Sequence, residues 1–171
     1  MSDFNLCYSF LLPNEAAFEN GAPVFEPNPD PTRSDPAAQA LAGINSAYWP
    51  EDFAAILALP QDQRGPAVQD FYKRNFWGVW LDKLDSNKIA AMVLDASVNQ
   101  GEGWAVRFLQ TSCGATVDGI WGPNTITAAN SVPESVLIPA FVAARKARYT
   151  AVGGPSLPDW LARASKVPQF A

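Results

Sequence analysis

This sequence predicts an all-α fold, and three observations carry that prediction. Apolar residues recur at helical spacing along most of the chain. Glycines and prolines fall where helices would stop or start rather than at random. Proline-dense sequence is confined to one segment, with Pro23, Pro27, Pro29 and Pro31 followed by Pro36.

Taken in order, Phe4, Leu6, Cys7, Phe10, Leu11 and Phe18 predict a first helix over about residues 4–17. Ser2 or Asp3 is available as its cap, and Pro13 is a point of kinking. The segment from Asn20 to Asp35 cannot be regular helix at its proline density, so it reads as an irregular lobe with room only for short strands. Helical patterning resumes after Gly43-Ile44-Asn45. It covers Pro50–Leu59 and then Pro66–Trp80, whose stripe is Val68, Phe71, Tyr72, Phe76 and Trp80. From Ser86 to Val98 the pattern is apolar almost all round, as in a centrally buried helix. Gly101 and Gly103 interrupt before a helix beginning near Trp104. Gly122-Pro123 predicts another start. Ser131 is read as the cap of a helix running to about Tyr149, which Gly153-Gly154 ends. A short helix with Trp160, Leu161 and Arg163 follows. No internal repeat is present.

Composition narrows the chemistry. The chain has 171 residues, 48% of them hydrophobic and 17% charged, enough for one domain or two packed subdomains with a real core. It contains no histidine, which excludes Ser–His and Cys–His catalysis and argues against a zinc hydrolase. Hydrolytic chemistry would therefore fall to carboxylates, with neither metal nor organic cofactor. Cys7 and Cys113 read as small buried hydrophobes. A net charge of −5 with no basic stripe argues against nucleic acid. No stretch reaches the roughly 18 apolar residues of a membrane span. The acidic start, Met1-Ser2-Asp3-Phe4, is unlike a secretory signal, so the expectation is synthesis in the cytoplasm, without a signal peptide, as a monomer.

Several motifs in one order then resemble a known family. Phe71-Tyr72-Lys73-Arg74-Asn75-Phe76-Trp77 looks like an aromatic helix ending in a Tyr-Trp-like pair. Leu94-Asp95-Ala96-Ser97-Val98-Asn99-Gln100-Gly101 is similar to F-D-x-x-V-N-x-G, and Ala105-Val106-Arg107-Phe108-Leu109-Gln110 to A-V-x-x-L-Q. Asp118-Gly119-Ile120-Trp121-Gly122-Pro123-Asn124-Thr125 matches D-G-x-x-G-P-x-T. Arg145, Tyr149, Trp160 and Arg163 agree with the closing helices. Together these resemble the glycoside hydrolase family 108 muramidases, lysozyme-like proteins of phages and secretion loci. Near the N-terminus, Glu15-Ala16-Ala17-Phe18 stands in register with the family's E-G-G-Y. Asp35 to Ile44 stands in register with D-P-G-G-x-T and the Gly-Ile that follows.

The resemblance implies a lysozyme-like helical fold with a proline-rich insert. It divides the chain into a catalytic region over residues 1–85 and a peptidoglycan-binding region over 86–171. It implies cleavage of the β-1,4 bond between N-acetylmuramic acid and N-acetylglucosamine at the cell wall. Glu15 takes the acid role and Asp35 is the second carboxylate; Tyr72, Trp77 and Asn99 are implied substrate contacts. Such chemistry needs one carboxylic acid that gives up a proton to the leaving oxygen and, usually, a second carboxylate. Glu19 competes with Glu15, and Asp30 with Asp35. The family's Gly pairs are Ala16-Ala17 and Ala37-Ala38 here, and its Thr is Ala40; either the insert supplies a replacement hydroxyl, with Thr32 and Ser34 as the candidates, or activity is low, altered or absent. Three motif features also have purely structural readings: Asp118-Gly119 as a turn, Asp95 as a paired buried acid, Asn99 as a helix-end cap. A wall-binding protein that keeps the fold without catalysis is the alternative from a different class. A module presenting its proline-rich insert to a partner is a third.

Overall fold

The computed structural model describes residues 1–29 and 38–170. The fold is mainly α, with two small antiparallel sheets among the described residues. The chain forms two compact units: Leu11–Asn75, and Met1–Phe10 together with Phe76–Ala171. One boundary falls inside helix α1 (Phe4–Glu15) and the other inside the π-helical stretch Lys73–Trp77.

In the smaller unit two hairpins follow α1. Strand β1 (Ala17–Glu19) pairs with β2 (Ala22–Val24), and β3 (Asn28–Pro29) lies on β4 (Gln39–Leu41), which pairs with β5 (Ile44–Asn45). The described part of the proline-rich segment thus contributes the short strands β2 and β3. Helix α2 (Pro50–Leu57) starts with proline at its first position and with Glu51 and Asp52 in its first turn, the residue types a helix N-terminus accepts. It packs on β5 and on α3 (Gln61–Tyr72). The Arg64 guanidinium fastens this region, donating to the carbonyls of Leu57, Leu59 and Phe25 and to Glu26 at 2.8 Å. Trp49 meets Phe71 edge-on at 5.1 Å. Helix α3 begins five residues before the start expected at Pro66, because Pro60 opens it and Pro66 is accommodated inside.

The larger unit is built around α5 (Asn87–Gln100), buried continuously from Ile89 to Ser97 as its all-round apolar pattern predicts. Ser86 caps it, accepting from the Ile89 amide. Helix α6 (Glu102–Cys113) packs on α5, on α7 (Pro123–Ser131) and on α8 (Glu134–Val152); α9 (Leu157–Ala164) rests on α8, and the short α4 (Gly78–Leu81) on α5. Ser131 does not cap α8: it closes α7, donating to the Ala128 carbonyl, and Pro133 takes the cap position.

Two motif fragments prove to be one folded object. Buried Gln110 donates to Asp118, to the Ile120 carbonyl and to Thr125, while its oxygen accepts from the Gly119 amide. Gly119 has φ +77°, and a Cβ there would meet Arg107 at 2.8 Å. Asp118 accepts from the Ile120 amide, and that bond chiefly holds its carboxyl below the usual range. These polar groups are spent on the loop itself, which is the structural reading of that motif.

Asp95 is likewise a paired buried acid. It is fully buried and meets Arg145 at 2.6 Å and Arg163 at 2.8 Å. Cys7 is buried too; desolvation pushes its thiol up to about 12, as expected for an inert packing residue.

Candidate active site

Glu15 is the last residue of α1 and is half-buried. The hairpin turn Ala42-Gly43 faces it. A Cβ added at Gly43 would lie 2.4 Å from Glu15 Oε2 and 2.6 Å from the Tyr72 hydroxyl, so the bare glycine backbone is what lets these two oxygens approach the same point. The Tyr72 side chain is almost fully buried and donates its proton to the Ala42 carbonyl at 2.7 Å. Three separate stretches of chain thus converge on one carboxyl: the end of α1, the β4–β5 turn and the end of α3.

The turn itself is strained. Ala42 has φ +46° and Gly43 φ +78°, the two positive values of a type I′ hairpin. Glycine tolerates this conformation; a residue with a Cβ pays roughly 1–2 kcal/mol. Beside the turn, Asn45 is buried and its side-chain oxygen accepts from the Ala47 amide. Tyr72 is followed directly by the π-helical stretch, a local widening of the helix often associated with functional sites.

The competing acid Glu19 occupies an exposed position at the end of β1, opposite Ala22. Ala40, expected from the motif resemblance to stand where a threonine would be, is half-buried in β4 and pairs with Asn45. Ala16, Ala17 and Ala38, which the motif resemblance sets against glycines, adopt ordinary backbone: among the described residues the non-glycines at positive φ are Asn20 and Ala42. Asp35, Asp30, Thr32, Ser34 and Ala37 lie outside the described residues.

The other two expected contacts belong to the larger unit. Trp77 is buried, meets the Phe4 ring edge-on at 5.4 Å and donates from its indole to Asp82. Asn99 is exposed near the end of α5 and accepts from the Tyr149 hydroxyl. It borders a groove that also includes Gln100, Arg148 and Trp160. The sequence motifs point to Asn99 but not to Gln100 or Arg148, which have no distinguishing pattern of their own.

Among the described residues no cluster of Cys, Asp and Glu is arranged to hold a metal ion, and no helix is long and apolar enough to cross a membrane.

With this geometry in hand, the solved structure of Brucella abortus SagA is informative. It matches 98% of this chain with 97% of its own, at a TM-score of 0.64 and 21% identity. The two share a fold. The chain matches no protein-family model and no curated protein.

Proposed function

We propose that this protein is a peptidoglycan hydrolase of the muramidase type, with Glu15 as the general acid. The observation that supports this most is the convergence of Glu15, Gly43 and Tyr72. A carboxyl at the C-terminal end of a helix stands at the negative end of the helix dipole. The neighbouring Tyr72 hydroxyl has committed its only proton to Ala42, so toward a carboxyl it offers lone pairs. Both features suit a neutral acid that donates a proton rather than a carboxylate. Asp35 is proposed as the second carboxylate, and the substrate is the glycan strand of the bacterial wall. The similarity to glycoside hydrolase family 108, motif by motif in order, supports the same reading.

A second reading has its own observation. Ala40 has no hydroxyl to orient water where the family carries threonine, which favours a wall-binding protein with impaired catalysis.

Release of reducing sugars from purified peptidoglycan separates the two. Glu15→Gln is expected to lower the rate about 10²–10⁴-fold, the range for removing a general acid, while Glu19→Gln leaves it within a factor of two or so. Equal release by wild type and Glu15→Gln overturns the assignment. Sedimentation of the wild-type protein with the wall, without sugar release, favours the second reading.

A further inference from the structure

The groove in the larger unit is built differently from a packing defect, because its polar side chains are pinned from behind. Asp95 holds the buried Arg145 at 2.6 Å, and Arg145 Nε donates to Gln100 Oε1 at 2.8 Å. A guanidinium can only donate, so this bond fixes the orientation of the Gln100 amide and leaves its NH₂ for the groove. Asn99 is held in the same way: its oxygen accepts from Tyr149, and its NH₂ has no partner among the described residues. Tyr149 is in turn stacked on Trp160, with ring centroids 5.4 Å apart and planes at 24°.

Arg148 supplies the charge. Its guanidinium lies over the Trp104 ring at 4.4 Å, and no carboxylate among the described residues ion-pairs with it. The side chains lining the groove therefore offer donors and a cation, flanked by the apolar surfaces of Trp104, Val152 and Trp160. The groove measures about 240 Å³.

We propose that this groove binds the carboxylate-bearing end of a short peptide. Arg148 takes the terminal carboxylate, the Asn99 and Gln100 amides donate to peptide carbonyls, and small side chains lie against Trp104 and Trp160. The site does not depend on Glu15 or on hydrolysis.

Titration of the full chain with N-acetyl-dialanine, in its D,D and L,L forms, tests this by the fluorescence of the lining tryptophans and by calorimetry. C-terminally amidated dialanine is the control. Saturable binding of at least one free acid is expected, weakened roughly tenfold or more by amidation, by Arg148→Gln, or by Gln100→Glu, which keeps an acceptor for Arg145 but places a carboxylate in the groove. Unchanged thermal melting of both variants ties the loss to the site. The proposal fails if neither acid saturates, if acid and amide bind equally, or if folded Arg148→Gln binds like wild type. Glu15→Gln, a change in the other unit, binds both free acids as the wild type does, so failure here is distinct from failure of the Glu15 assignment.

Discussion

Between β1 and β2 the chain reverses through Asn20-Gly21; between β4 and β5 it reverses through Ala42-Gly43. The backbone solution is the same, with φ +51° and +81° in the first turn and +46° and +78° in the second. The first uses the residue pair that favours a type I′ turn. It lies exposed, and a Cβ at Gly21 would meet nothing within 4 Å. The second puts alanine where asparagine or glycine is preferred, buries it, and presses the glycine against Glu15 and Tyr72. A turn that only reverses the chain is built from the residues that do so without strain. The strained copy is the one whose backbone forms part of a candidate site, which is where strain is most often kept.

Matched glycine substitutions should separate the two turns most widely. Gly43→Ala is expected to destabilise by roughly 2–5 kcal/mol, since it combines a disfavoured φ with displacement of a packed carboxyl and hydroxyl. Sugar release should fall by about 10²-fold or more even in the fraction that folds. Gly21→Ala carries the conformational penalty alone, about 1 kcal/mol, with no effect on activity. Urea titrations of both variants measure the gap, and equal losses would mean that the contacts at Gly43 contribute nothing.

Tyr72→Phe probes the contact that holds the strained turn. It removes the donor to the Ala42 carbonyl in a buried setting, so a loss of about 1–3 kcal/mol is expected. If Tyr72 also serves the acid, the pH profile of sugar release should move together with the rate; a purely structural role would lower stability and leave the profile in place.

The two turns also show what was legible in the residues alone. Asn20-Gly21 is a hairpin pair, yet at the level of sequence it reads only as the start of an irregular lobe, with Phe18 still counted in the helical pattern. The helices from α5 onward do follow from periodicity and from glycine and proline punctuation. The one cap misplaced there, Ser131, failed because a serine two residues before a proline serves equally well as the last residue of the preceding helix. The site was legible only in part. Glu15 and Tyr72 could be singled out through motifs, yet nothing local announces that both side chains approach Gly43. That convergence is a long-range property, set when β5, α2 and α3 pack together. Gly43 offered the available clue: a glycine after alanine between two short β-like stretches marks a two-residue turn. Its contact with a carboxyl has no sequence signature.

The smallest expected effect is the most discriminating. Ala42→Gly relieves the positive-φ penalty of about 1–2 kcal/mol, but it adds roughly 0.5–1 kcal/mol of unfolded-state entropy and removes a buried methyl worth about 0.8 kcal/mol. These terms nearly cancel, so the thermal midpoint should move by no more than a few degrees in either direction. Activity is then free to report on geometry alone. If the strain merely reflects a tolerated alanine, sugar release stays at the wild-type level. If the stiffness of Ala42 holds its carbonyl under Tyr72, and through Tyr72 sets the surroundings of Glu15, the glycine variant loses rate at unchanged stability. That loss should disappear in the Tyr72→Phe background, where the carbonyl no longer has a hydroxyl to hold.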